Sequence, residues 1–454
     1  MLNKIKNKNR IRRIDDNLNF ITTDSGNFQI LNDKELMQFN SLKVNDELES
    51  KLLSKNILLN EKNMNNEIIK LSKKYSFLHQ GTSLHIIVTT LRCNMKCIYC
   101  HASSRCENET NFDMDKKTAK KTVDLIFQSP SENITIELQG GEPTLNWDIC
   151  KFIINYANEV NKKYLKNVEF SIVSNFTTMN EEIMEFLINN KIGICTSLDG
   201  PEELHNKNRI YTKNNNYKQV IDWIKKINKE YEKRNIHKKV YALPTITKFS
   251  LDYYKEIVDL YRELKIESIH IRPLSNLGFA SNKWNNIYYN TEYFLEFWEK
   301  INNYILELKK DGEEITDRIT EIMIKKITED FDPNYLELRS PCGAVIGQLL
   351  YNYDGKVYSC DEARMLGEDL FKLGTVNNTY SEITTSKKAC NIVMSSSNDN
   401  YIVCDNCAYK PYCGVCPVCN YAEQGNVIAN IEKTERCKIN KFQFDWVVKN
   451  IIKK

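Results

Sequence analysis

Between residues 84 and 275 short apolar runs alternate with amphipathic helical patterns, and nothing else in the chain narrows its fold as sharply. The runs are "LHIIVTT", "ITIELQ", "VEFSIVS", "IGICTS", "KVYALPTI" and "IESIHIR". Segments such as "DKKTAKKTVDLIF", "NWDICKFIINYANEV", "NEEIMEFLINN" and "YKQVIDWIKKINKEY" lie between them, with apolar residues at helical spacing. Strands that read as continuous apolar runs are buried on both faces, as in a parallel sheet covered by helices. The expected fold class is therefore α/β. Six βα units in place of eight predict an open, partial (β/α)6 barrel. In such folds ligands gather at the C-terminal ends of the strands.

The first of those strand ends runs straight into "TLRCNMKCIYCHASS", with Cys93, Cys97 and Cys100 in a C-x3-C-x2-C spacing. A closed structural zinc site wants four ligands, and so does a fully thiolate-ligated cubane. Three thiolates would hold three irons of a [4Fe–4S] cluster and leave the fourth open to a small molecule. An amino-carboxylate chelate is a natural occupant, and S-adenosylmethionine presents one. Electron transfer into its sulfonium would cleave a C–S bond and leave a carbon radical. Spacing alone also allows an unrelated zinc or redox cysteine group.

The remaining cysteines sharpen this. The chain has 454 residues, of which 41% are hydrophobic and 27% charged, and 15 are cysteine. The opening "MLNKIKNKNRIRR" is basic but lacks the apolar run of a secretion signal, and no run of apolar residues is long enough for a membrane span. A cytoplasmic protein is expected, whose cysteines are metal ligands and not disulfides. The net charge of +3 gives no basis for a nucleic-acid partner. Eight cysteines crowd the end of the chain, at 342, 360, 404, 407, 413, 416, 419 and 437. Cys106, Cys150, Cys195 and Cys390 read as small buried hydrophobes. Four segments are expected: an N-terminal module of helices and a hairpin (1–82), serving either to dock a peptide or as a plain structural cover, the partial barrel (83–275), a helical connection (276–340) and a cysteine-dense, turn-rich domain (341–454) held together by metal as much as by core.

With Tyr99 ahead of its last cysteine, the loop resembles the signature of the radical S-adenosylmethionine superfamily. Further matches follow in order. Gly140, Gly141, Glu142 and Pro143 in "LQGGEPTL" match the glycine-rich motif that meets the methionine ammonium group. Glycines permit close approach, and carbonyls at a strand end accept from a cation. Ser174 and Asn175 match a Ser/Thr-Asn pair near the cofactor. Ser197, Asp199 and Gly200 match a serine–aspartate–glycine turn, and Arg209 matches an arginine associated with the cofactor carboxylate, which a guanidinium suits.

The C-terminal cysteines resemble the SPASM extension of radical enzymes that modify peptides and proteins, in which two auxiliary [4Fe–4S] clusters are held. The resemblance assigns Cys404, Cys407, Cys413 and Cys437 to the outer cluster, and Cys342 and Cys360 to the inner one. The family's usual third inner ligand would fall at Pro417. Here either Cys416 or Cys419 takes that role, or both bind and close the inner cluster. A pair of zinc knuckles is the other use of this spacing. Asp361 follows Cys360 directly, at the place of an aspartate proposed as proton acceptor in sulfatase-maturing relatives; a turn cap or a hydrogen bond toward the cluster is the alternative.

Stretches along nearly the whole chain, among them "CGAVIGQLLYNYDGKVYSCDEARML", are similar to the maturase group of His-Xaa-Ser peptide systems. The resemblance implies a 5′-deoxyadenosyl radical that abstracts hydrogen from a ribosomally synthesised precursor peptide. A carbon-based or thioether crosslink would follow. It also implies a low-potential electron donor such as ferredoxin or flavodoxin. The alternative is maturation of a folded protein such as a sulfatase or quinoprotein subunit.

Overall fold

A computed structural model describes residues 5–453, so the first four residues of the basic N-terminal stretch lie outside it. The chain divides into two compact units. One comprises residues 80–318 and 344–392; the other comprises 1–79, 319–343 and 393–454.

The first unit is built on an eight-stranded sheet. Six of its strands run parallel, in the order Tyr241–Leu243, Gly193–Ser197, Asn167–Ser174, Asn133–Gly140, Leu84–Thr90 and Gln348–Tyr351. Lys356–Tyr358 and Lys372–Thr375 extend it antiparallel. Five parallel strands coincide with the expected apolar runs. The sixth does not. "IESIHIR" forms only Ser268–Ile269 and pairs with Thr316–Asp317 outside the main sheet. Asp317 explains the diversion: its carboxylate accepts the Ile271 backbone N–H at 3.2 Å, which holds the run against the neighbouring segment. The sixth parallel strand comes instead from 348–351. The sheet keeps two edges, so the barrel is open, as six units predicted.

Helices Lys116–Ile126, Trp147–Tyr164, Glu181–Asn189 and Asn216–Lys233 fall between the strands as their periodicity predicts. Asp115, Asn180 and Asn215 cap three of them through the backbone N–H three residues on. The helical connection contains Thr291–Lys310 and Arg318–Thr328.

The second unit starts with a three-stranded antiparallel sheet, Asn9–Asp15, Leu18–Thr23 and Phe28–Leu31. Helices Asp33–Ser41, Asp46–Ser54 and Met64–Lys74 follow. Ile21, Leu31, Phe39, Leu48, Leu52, Ile57 and Leu58 form their common core. This N-terminal module is tied to the end of the chain within the same unit. Phe20 lies 5.9 Å from the Tyr409 ring, and Thr22 donates its hydroxyl to the Ala408 carbonyl at 2.7 Å. Arg10 is ion-paired to Asp24 and Asp405, and Arg12 to Asp445. These buried and half-buried links join the module to 393–454. Residues 344–392 belong to the first unit, where they add strands to the large sheet.

Candidate active site

The site begins where the first strand, Leu84–Thr90, ends. Arg92 anchors the loop that follows. Its guanidinium grips Asp113 through Nε at 2.7 Å and Nη2 at 2.6 Å, and donates to the carbonyls of Glu107 and Leu145. The loop also lies on a pair of glycines. A Cβ at Gly140 would come 2.2 Å from the Thr90 carbonyl oxygen, and one at Gly141 2.3 Å from that of Arg92. Gly141 and Glu142 donate their N–H groups to these same carbonyls at 2.9 and 2.7 Å. The glycine motif therefore seats the cysteine loop against the second strand.

Cys93, Cys97 and Cys100 are free thiols lining one cavity of about 390 Å³. Burial pushes the Cys97 thiol up to about 12 and raises that of Cys93 as well. A metal that binds thiolate would displace these protons. Cys106, read as a small buried hydrophobe, is exposed and lines the same cavity, its backbone paired with Cys93. Cys390 is also exposed, whereas Cys150 is buried.

Arg209 reaches the loop by strand pairing. Arg209 and Ile210 lie antiparallel to Cys97 and Lys96, which brings Nη1 of Arg209 to 3.9 Å from the Cys97 sulfur. Its Nε donates to Asp199 Oδ1 at 3.2 Å, and its guanidinium lies 5.3 Å from the centre of the Tyr99 ring. The Tyr99 hydroxyl donates to the other Asp199 oxygen at 2.7 Å. Asp199 is fully buried and also accepts the Thr245 N–H. The serine–aspartate–glycine turn thus ties the end of the fourth strand, where Ser197 is the last residue, to the aromatic residue of the cysteine loop.

Glu142 is 0% exposed and its carboxylate is already engaged. It accepts the Ser174 hydroxyl at 2.8 Å, the Asn175 N–H at 2.7 Å and both the N–H and hydroxyl of Thr144. Burial raises its pKa against these bonds. Pro143, also buried, opens the short 3-10 turn Pro143–Asn146 that follows. Glu142 therefore joins the ends of the second and third strands. Asn175 faces the loop, with Nδ2 3.7 Å from the Cys93 sulfur and 3.4 Å from Asn94 Oδ1.

Two residues absent from the sequence reading complete the frame. His205 Nδ1 accepts the Asp199 N–H at 3.4 Å, which leaves Nε2–H to donate to Asn216 Oδ1 at 2.8 Å. Asn216 then donates to the Asn175 carbonyl at 3.2 Å. This buried chain links the ends of the third and fourth strands.

Asp361 opens the helix Asp361–Leu366 after the buried Cys360. Burial raises its carboxyl to about 7, against the pull of Arg364 at 4.0 Å. Its Oδ1 is buried without a hydrogen-bond partner among the described residues.

In the second unit Cys404, Cys407, Cys413 and Cys437 line one cavity of about 40 Å³, together with Cys416. Burial and the neighbouring thiols raise Cys404 to about 12; burial raises Cys413 to about 11. Cys416 precedes helix Pro417–Gln424 and its sulfur accepts the Cys419 N–H at 3.4 Å. Cys342 is buried, and its N–H donates to Ser396. Among the described residues, no group of three or more His, Cys, Asp or Glu side chains forms the ligand set of a single metal ion. A cubane puts each thiolate on a separate iron, so ligands that line a cavity without converging suit it.

Residues 87–261 match the Radical SAM superfamily. The cysteine-type anaerobic sulfatase-maturating enzyme of Clostridium novyi (strain NT) is 26% identical over 340 residues, 74% of this chain and 87% of that one. Native anSMEcpe with bound AdoMet and Cp18Cys peptide superposes with a TM-score of 0.67 at 19% identity, covering 82% of this chain and 98% of that one. Streptococcus suis SuiB bound to precursor peptide SuiA superposes at 0.55 with 15% identity, covering 94% and 98%. These two likenesses are of fold. No helix among the described residues is long and apolar enough to cross a membrane.

Proposed function

We propose that this chain, an enzyme of the radical S-adenosylmethionine superfamily through its residues 87–261, matures a ribosomally made peptide by installing a carbon-based or thioether crosslink. Enzymes of this superfamily require S-adenosylmethionine and a [4Fe–4S] cluster. The observation that carries the reading is three free thiols on one cavity at the C-terminal end of the first strand. When bound, cluster and cofactor together supply a 5′-deoxyadenosyl radical that abstracts hydrogen from substrate.

The chain's own residues prepare that event. Cys93, Cys97 and Cys100 hold three irons. Arg209 Nη groups, left over from the bond to Asp199, receive the cofactor carboxylate. Backbone at Gly140 and Gly141 receives its ammonium. Asn175, Ser174 and Ser197 line the cofactor's side of the strand ends, Glu142, Pro143 and Asp199 hold that wall rigid, and Tyr99 braces Arg209. Asp361 takes the substrate proton; its buried Oδ1, which accepts no hydrogen bond among the described residues, supports that role. Cys404, Cys407, Cys413 and Cys437 hold an outer auxiliary cluster, and Cys342 and Cys360 with Cys416, Cys419 or both hold an inner one. A ferredoxin or flavodoxin supplies electrons in the cytoplasm, and residues 1–82 dock the peptide.

The peptide reading draws on the precursor peptide bound by SuiB. Maturation of a folded protein is the second reading, favoured by the sulfatase-maturating relative. Co-expression with any short peptide encoded beside its gene, read by mass spectrometry, separates them. A product two hydrogen atoms lighter is expected, one lost as the atom abstracted and the other as a proton with an electron. An unmodified peptide, with a sulfatase converted instead, would select the second reading.

A further inference from the structure

The cavity of Cys404, Cys407, Cys413 and Cys437 contains a buried amide. Asn440 lines it, is 7% exposed, and places Nδ2 3.3 Å from the Cys413 sulfur. Asn440 lies on helix Glu435–Val447, three residues beyond Cys437, so both side chains fall on one face of that helix. The helix is fixed at its start by the Thr434 hydroxyl, which accepts the Cys437 N–H at 3.3 Å. One short element thus delivers a sulfur ligand and an N–H donor to the same cavity. The amide does not titrate, so the donor is present at every pH.

We infer that Asn440 is a positioning and tuning residue of the outer auxiliary cluster: its N–H···S bond orients Cys413 and raises the cluster's reduction potential. The inference rests on the outer ligand set proposed above. A hydrogen bond to a cluster sulfur stabilises the more negative, reduced cluster more than the oxidised one. Burial strengthens the effect, because the local dielectric is low. An amide that merely filled space would leave the potential where it was.

The test uses the full chain reconstituted anaerobically, with Cys93, Cys97 and Cys100 replaced by alanine so that auxiliary iron alone is read. Midpoint potentials are measured by EPR-monitored redox titration. Asn440→Leu, similar in size but without a donor, is expected to move one auxiliary midpoint to more negative values and leave the other in place. Asn440→His, which restores an N–H, is expected to return it. Full iron content with an unmoved midpoint in Asn440→Leu overturns the inference while leaving the ligand set intact. Should that variant lose its cluster, Asn440→Asp is read instead: it keeps the shape and replaces the donor with an acceptor, and a wild-type midpoint overturns the inference. A parent protein that takes up no iron through these four cysteines refutes the ligand set itself.

Discussion

Gly141 shows how a missing methyl group shapes the site. A Cβ there would meet the carbonyl oxygens of Arg92 and Leu91 at 2.3 and 2.5 Å, and both belong to rigid backbone. Gly141→Ala is expected to destabilise the fold by about 1–3 kcal/mol, the range for overpacking, and to lower iron uptake by displacing the cysteine loop. Thermal unfolding and iron assay check this; a variant with wild-type Tm and iron content would show slack in the seat. The residue types were legible in the sequence, because cysteine spacing and paired glycines announce themselves. The uses of some were not. Glu142 in a glycine-rich motif reads as a cofactor ligand, and the fold alone shows that Ser174, Asn175 and Thr144 already engage its carboxylate. His205 and Asn216 carry no spacing signal at all. Their partnership arises where helix ends and strand ends meet.

At the scale of elements, apolar periodicity located five of the six parallel strands, since burial on both faces writes itself into composition. It misplaced the sixth because strand pairing depends on a partner. Ser268–Ile269 found Thr316–Asp317, and Gln348–Tyr351 took the place beside Leu84–Thr90. That pairing sets His85 against Tyr351, with Nδ1 3.0 Å from the tyrosine hydroxyl and Nε2 3.2 Å from the Thr82 carbonyl. Burial lowers His85 from its ordinary 6.5 to about 3. Below 6.5 the unfolded chain takes up a proton that the folded chain refuses. The stability owed to neutral His85 is therefore complete above that value and declines as pH falls toward 3, by at most about 1.4 kcal/mol per pH unit. His85→Gln removes this loss, so the stability gap between wild type and variant is expected to narrow on acidification. Chemical unfolding across that range checks it, and a constant gap would contradict the assignment.

At the scale of the molecule, the architecture rests on tertiary contacts that the cysteine spacing does not encode. The N-terminal module and residues 393–454 share one unit through Arg10, Arg12 and Phe20, pairings that span hundreds of residues and leave no local pattern. The large sheet in turn takes in 344–392. The proposed function places S-adenosylmethionine cleavage at the loop of Cys93, Cys97 and Cys100, seated on Gly140 and Gly141 and flanked by Asn175 and Arg209. The direct measurement is 5′-deoxyadenosine release from S-adenosylmethionine by the anaerobically reconstituted full chain under dithionite. The wild-type chain should release it, and the Cys93→Ala/Cys97→Ala/Cys100→Ala variant should release none while keeping its auxiliary iron; a silent wild type, or a variant equally active, would rule out cleavage at this loop.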